Sequence, residues 1–215
     1  MNKYKTVMIE AEAEQVIEKS RFIARVKPVQ SRGEADEFIR SVRRFHRDAT
    51  HNVPAMVIGE KCELQWASDD GEPQGTSGAP IVQMLVKERL TNVAVVVTRY
   101  FGGVKLGTGG LARAYTGSAK LGLAAAGVCQ VQEMTSLAVE VEYTHLNKIQ
   151  KLSGNKNFFI RDILYEDKVT LRLSVEPEDL SCVKAVLADI SSGAAIIISE
   201  SIVLEKSVDR EPVLC

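Results

Sequence analysis

Along the chain the apolar and polar positions change period several times, and each change predicts an element. "TVMIEAEA" (6–13) and "SRFIARVKPV" (20–29) alternate with period two, which predicts two half-buried strands. From Ser31 the period becomes helical. Ala35, Phe38, Ile39, Val42 and Phe45 share one face and are expected to be buried, with Ser31 and Glu34 spaced as a capping box. "NVPAMVIGE" and "CELQWAS" read as two strands joined at Gly59-Glu60-Lys61. Pro54 lacks an N–H and points to an edge strand or a strand start. Trp66, beside Leu64 in that pattern, reads as a core anchor. The loop from Ser68 to Pro80 has turn chemistry at almost every position, and Thr76 or Ser77 is placed to cap a helix running to about Leu90. Pro80 suits its first turn. "NVAVVVT" is an almost unbroken β-branched run, a strand covered on both faces. A helix from about Gly110 to Ala126, stopped by Gly127, carries Ala112, Ala114, Gly117, Ser118, Ala119, Gly122 and Ala124. A helix with side chains this small can press close to a sheet.

From about Thr135 the grammar changes. "SLAVEVEY" alternates as a strand, and "HLNKIQKLSG" reads as a short helix. "FFIRDILYED" and "KVTLRLSVEPED" form a strand pair about Glu166-Asp167-Lys168, "EDLSCVKAVLADISSG" a helix, and "AAIIISESIVLE" a last strand. The order β-α-β-β-α-β is the split ferredoxin-like arrangement. The expected fold class is α+β in two domains, 1–134 and 135–215.

Composition narrows the class. With 215 residues, 45% of them hydrophobic, the chain has material for the cores of one or two domains. No apolar run reaches the ~18 residues of a membrane span, so no membrane partner is expected. The opening residues turn acidic with no hydrophobic stretch, which predicts no secretory leader. Cys62, Cys129, Cys182 and Cys215 are far apart and form no C-x-x-C pair, so they read as reduced thiols of a cytoplasmic protein and not as a zinc site. A terminal cysteine in "EPVLC" is not a prenylation box. The net charge is −1, yet residues 1–133 carry 18 Lys/Arg against 15 Asp/Glu, and residues 134–215 carry 9 against 13. A protein that coats nucleic acid is more basic than this, so any nucleic-acid contact must come from a local patch.

The candidate chemistry centres on "TRYFGGVKLGTGGLARAY" (98–115), which holds five glycines and three fixed positive charges. No glycine is followed by the Lys-Ser/Thr pair of a phosphate-binding P-loop, and that reading fails. Gly107 to Ala112 fits G-x-G-x-x-A, but nine residues separate the apolar strand from its first glycine, where a dinucleotide site needs a tight turn. Two readings stay open. The loop, with Gly107, Gly109 and Gly110 at a helix N-terminus and Arg99, Lys105 and Arg113 around it, is an anion cradle. Alternatively the glycines solve a hard turn and the basic residues pair with Asp69, Asp70 and Glu72. The spacing of those acids around Gly71 and Pro73 matches no calcium loop, and capping or salt-bridge roles suit them better. His46 and His51 have no visible nucleophile or third partner and read as surface or strand-end residues. Arg40, Arg43, Arg44 and Arg47 form a basic stripe at helical spacing, either a solvated face or the electrostatic footprint of a phosphate-bearing or acidic partner.

The strings "HRDATHN", "SDDGEPQGTSGAP" and "NVAVVVTRYFGGVKLGTGGLARAY" together resemble the IMPACT/YigZ family, over about residues 15–125. The remainder resembles the small C-terminal domain of bacterial members, and the extra N-terminal domain of eukaryotic members is not recognisable. The resemblance implies a first domain of the kind shared by RNase PH, a ribosomal small-subunit protein and GHMP kinases. It implies a second, ferredoxin-like domain similar to the last domain of elongation factor G. Eukaryotic members restrain a starvation-activated kinase of translation initiation, a partner system absent from bacteria. Many members have a cysteine where this chain has Val53, so no cysteine mechanism is expected there. The paired serines of GHMP kinases are also missing from "GTGGLARA". The resulting expectation is a non-enzymatic protein that binds RNA, the ribosome or a translation-associated protein, without cofactor, metal or catalytic residue. The alternatives are an enzyme or binding protein for a nucleotide or phosphorylated small molecule, with the glycine loop as cradle, and a protein–protein interaction module.

Overall fold

The period-two stretches near the N-terminus form three strands where two were expected: β1 (Asn2–Val7), β2 (Ala11–Ile17) and β3 (Ser20–Pro28). "TVMIEAEA" is interrupted because the amides of Met8 and Ile9 turn to the carbonyls of Ala126 and Gly127 at 2.8–3.2 Å, satisfying the C-terminal end of a long helix. β2 and β3 are an antiparallel hairpin with Ile17 opposite Ser20. Glu18 and Lys19 between them both adopt left-handed φ, 46° and 65°, as a two-residue hairpin turn requires. The structure is a computed structural model describing residues 2–153, 158–208 and 211–212; the expected helix end at Gly154 and the thiol of Cys215 lie outside the described residues.

α1 (Arg32–Phe45) starts as the sequence predicts. Ser31 Oγ accepts the Glu34 amide at 3.2 Å, and Glu34 Oε2 accepts the Gln30 amide at 2.8 Å. Phe45 departs from expectation: it is 70% exposed, with the Arg25 guanidinium 4.5 Å over its ring. A cation–π stack stands there in place of core burial. β4 (His51–Ile58) and β5 (Leu64–Ala67) follow, then α2 (Gly78–Lys87), β6 (Val93–Tyr100) and α3 (Gly107–Ala126).

β2 to β6 make one five-stranded sheet, order β2-β3-β6-β4-β5, antiparallel throughout. Phe22, Ala24, Val53, Ala55, Val95 and Val97 face α2 and α3. Met56, Ile58, Ala94 and Val96 face α1, with Trp66 only half-buried beside them. Two helical layers therefore cover an antiparallel sheet, which is why β6 reads as a continuous apolar run. α3 sits close: a Cβ on Gly122 would lie 2.8 Å from Val26 Cγ2 and 3.0 Å from Ala24 Cβ. β4 is an inner strand, contrary to the edge expected from Pro54. The proline is tolerated because its carbonyl accepts the Ser68 amide at 3.2 Å, so its missing N–H points to the same side, just past the end of β5.

By its internal contacts the chain divides into residues 3–130 and the described residues from 131 onward, the latter joined by Asn2. The division falls inside β7 (Val128–Val141), as does residue 134. After it come α4 (Tyr143–Leu152), β8 (Phe158–Tyr165), β9 (Val169–Val175), α5 (Leu180–Ser191), β10 (Ile196–Val208) and the two-residue β11 (Glu211–Pro212), the last not foreseen. The sheet order is β11-β10-β7-β9-β8, with β9 antiparallel to both β7 and β8. Leu137, Val139, Leu171 and Leu173 pack against Leu146 and Ile149 of α4 and Val183 and Leu187 of α5. On β10, Ile196, Ile198, Ile202 and Leu204 remain exposed. The architecture is mixed α/β in two units.

Candidate functional site

The acidic loop between β5 and α2 gives each of its carboxylates a different task. Asp69 caps α2: its Oδ1 accepts the amides of Ser77 and Gly78 at 3.1 and 2.9 Å and the Ser77 hydroxyl at 2.7 Å, while Oδ2 accepts the Gly75 amide at 2.7 Å. The cap expected from Thr76 or Ser77 thus comes from eight residues before Ser77, and Ser77 donates to it. Burial pulls the Asp69 carboxyl up, but the hydrogen bonds from Gly75, Ser77 and Gly78 outweigh it and hold the group below its ordinary range. Asp70, at a left-handed φ of 49°, accepts Arg43 Nη2 at 2.7 Å and the Asn52 amide at 2.6 Å, tying α1 to the start of β4. Among the described residues no cluster of three His, Cys, Asp or Glu is arranged to hold a metal.

Glu72 is 8% exposed and meets Arg99, which is 4% exposed. Arg99 Nη1 donates to Glu72 Oε1 at 2.7 Å, and Nη2 to Ser20 Oγ at 3.2 Å. The guanidinium lies 5.4 Å from the Phe22 ring and 5.2 Å from Phe101. The same Oε1 accepts the Tyr115 hydroxyl at 2.8 Å. Burial, then the Glu72 charge, pushes the Tyr115 phenol far up, so it stays a donor. A buried pair is tolerated when further hydrogen bonds support it, as those from Tyr115 and to Ser20 do here. Arg99 Nε, itself buried, has no partner among the described residues.

His51 opens β4 and stands beside this pair. Its Nδ1 is 2.8 Å from the Asp70 carbonyl oxygen, which only accepts, so Nδ1 carries the proton. Nε2 lies 3.7 Å from Glu72 Oε1. His46 is different. It is buried, its Nδ1 is 3.0 Å from the Tyr100 hydroxyl, and burial followed by the Arg25 charge pushes its pKa down. It is an interior histidine, not the surface one expected.

Between the start of β4, the end of β6 and the N-terminus of α3 lies a cavity of about 440 Å³. His51, Glu72, Arg99 and Lys105 supply its charged and polar edge; Pro73, Phe101, Leu106 and Leu111 make most of the wall apolar. Leu106 occupies the N-cap position of α3 with no side-chain cap, and the first turn holds no acidic residue. The helix therefore presents uncapped amides and its positive end beside the cavity. α3 starts at Gly107, three residues earlier than its pattern predicts, and Gly107 itself takes a left-handed φ of 69°. Gly102 serves close approach: a Cβ there would lie 1.9 Å from the Lys19 carbonyl oxygen.

The basic positions thus separate. Lys105 and Gly107 line the cavity, and Arg99 forms part of its wall already engaged by Glu72. Gly109, Gly110 and exposed Arg113 continue along the first turns of α3. Arg40 and Arg44 project from α1, on the sheet face opposite α3, and Arg47 follows in the turn after it, while Arg43 bonds Asp70. The pattern of residues had no signal for Tyr115 or Phe101 as parts of the site. For His51 the available signal was its place immediately before a strand that pairs with the one carrying Arg99.

Residues 18–123 match the family model described as the Impact N-terminal domain, and residues 139–194 match a domain of unknown function, DUF1949. The class is therefore a two-part mixed α/β protein built on an Impact N-terminal domain. The chain is 40% identical over 211 residues to IMPACT family member YvyE of Bacillus subtilis strain 168, covering 98% of this chain and 97% of that one. It is 36% identical over 180 residues to IMPACT family member YigZ of Escherichia coli K12, with 83% and 88% covered. A crystal structure described as that of a hypothetical protein is 32% identical, with a TM-score of 0.58 over 93% of this chain and 98% of the other. The chain belongs to the IMPACT family.

Proposed function

We propose that this protein is a non-enzymatic, cytoplasmic factor of translation that binds RNA or the ribosome. The observation that carries the reading is the outer face of α1. Arg40 and Arg44 are exposed without an ion pair among the described residues, and Arg47, 83% exposed in its side chain, faces only its neighbour Asp48 at 3.6 Å. Two exposed arginines on α1 and Arg47 in the turn just after it supply a local positive patch in a chain of net charge −1. Family membership, with its general link to translation, supports the same reading. The fold assignment that goes with it is a first domain of the RNase PH and ribosomal-protein kind and a second, ferredoxin-like domain. The order β10-β7-β9-β8 supports the latter, since in a βαββαβ chain it is strand order 4-1-3-2.

The test is co-sedimentation with ribosomes at low salt and at about 0.5 M salt, where phosphate contacts weaken steeply. Wild-type protein is expected to sediment with ribosomes only at low salt. The triple variant Arg40→Glu, Arg44→Glu, Arg47→Glu is expected to stay in the supernatant at both. Wild-type protein that never sediments would overturn the function, and a variant that still does would move the surface elsewhere.

A further inference from the structure

We propose that the outer edge of β10 pairs antiparallel with the β10 of a second copy of this chain, about a twofold axis at Glu200, and so closes a dimer. This surface is separate from the arginine face of α1 and does not depend on the translation reading. Residues 196–204 read "IIISESIVL": from Glu200 in either direction come a serine and then three apolar side chains. An antiparallel pair centred on Glu200 therefore sets Ser199 opposite Ser201, Ile198 opposite Ile202, Ile197 opposite Val203 and Ile196 opposite Leu204. Centring it one residue either way sets Glu200 against Ile198 or Ile202, and a half step sets serine against isoleucine. The segment is complementary to itself in one register.

The fold leaves that segment available. Among the described residues β11 pairs only with Ser207 and Val208, so the outer edge of residues 196–204 carries no strand. Ile196, Ile198, Ile202 and Leu204 share one face by alternation and are 50–70% exposed. Glu200, on the same face, accepts Lys184 Nζ of α5 at 2.6 Å. Two glutamates facing each other at the axis would repel, but each brings its lysine, and the four charges sum to zero. The opposite edge of this sheet is built differently. β8 carries Arg161 and exposed Asp162, with a register break between Ile160 and Asp162, and charges and bulges of this kind block edge pairing. Residues 196–204 carry only the neutralised Glu200. Pairing at β10 uses the one open edge of each copy, so assembly stops at two. Nine residues a side fall short of the roughly 20–30 of a standard interface, so the dimer is expected to dissociate in the micromolar range.

The test is sedimentation velocity of the full chain from about 1 to about 300 μM, which brackets a micromolar dissociation constant. Wild-type protein is expected to pass reversibly from monomer to dimer over that range. Ile198→Lys and Ile202→Glu each set a charge against an isoleucine at two symmetry-related places, and each is expected to weaken the dimer at least about tenfold. Both side chains are more than half exposed, so the dilute single variants are expected to keep the wild-type melting temperature. The double variant Ile198→Lys, Ile202→Glu brings opposite charges face to face at both places. It is expected to regain the dimer, now in a form that added salt weakens. Wild-type protein that stays monomeric at the highest concentration would overturn the proposal and leave this face to a different partner. So would species larger than a dimer, an unchanged dimer in both single variants, or a double variant that does not regain it.

Discussion

Arg99 and Arg44 are the same residue type in the same half of the chain, and each sits in a run of basic positions. Arg99 ends up sealed under Phe22 and Phe101 and paired with Glu72; Arg44 stands in solvent with no partner among the described residues. The difference lies in what the rest of the chain delivers. The acidic loop folds back on the strand end and brings Glu72 to Arg99 and Asp70 to Arg43, whereas Arg40 and Arg44 have no ion pair among the described residues. A cation that receives a carboxylate becomes structure, and one that does not remains available to a partner.

The largest effect is expected where that pairing is broken. Arg99→Ala or Glu72→Ala leaves a buried charge uncompensated and is expected to cost about 3–5 kcal/mol. Removing both together, as Arg99→Met with Glu72→Leu, is expected to cost well under the sum of the singles. Urea unfolding of the three variants measures this, and additive losses would show that the two groups are not coupled. Next come the loop glycines. Gly102→Ala drives a Cβ to 1.9 Å from the Lys19 carbonyl oxygen and is expected to cost about 1–3 kcal/mol. Gly109→Ala, whose Cβ would meet Arg113 Nη1 at 3.7 Å, is expected to stabilise α3 by about 0.4–1 kcal/mol. Equal melting shifts for the two would place the hard turn wrongly.

Asp69→Ala removes the cap of α2, at about 0.5–2 kcal/mol near neutral pH. Because the folded Asp69 pKa lies below the unfolded one, its contribution is full above about pH 4 and is lost as pH falls through the depressed value. The gap between wild type and variant should close on that acid side; a constant gap down to about pH 2 would mean that the charge plays no part. The smallest effect is expected on α1. Arg40→Ala and Arg44→Ala should change stability by less than about 0.5 kcal/mol, since each truncates only an exposed side chain. A larger loss in thermal unfolding would mean that the outer face of α1 is structural after all.

Much of the fold was legible along the chain because burial follows period. Ala35, Phe38, Ile39 and Val42 sit under α1 as their spacing predicts, and the run at β6 is covered on both faces. The site was legible only in part. The glycines, Lys105 and the acids were visible as candidates, but neither the cavity nor its apolar wall was. Phe101 and Leu106 flank the glycine loop without period, and His51 reaches it from another strand. Phe45, Pro54 and the cap of α2 departed from expectation for the same reason. Each is settled by a partner outside the local period, respectively Arg25, the end of β5 and Asp69.

What the sequence determined by itself is therefore local: which stretches alternate, which turn and which face of a helix is apolar. Those outcomes depend on neighbours within a few residues, whose geometry is set by covalent connection and side-chain period. Which arginine is neutralised, which histidine is buried and where an uncapped helix end meets an apolar hollow were decided only by the tertiary structure. Charge, burial and hydrogen bonding act between groups within a few ångströms in space, and folding alone brings Glu72 to Arg99 across 27 positions of the chain.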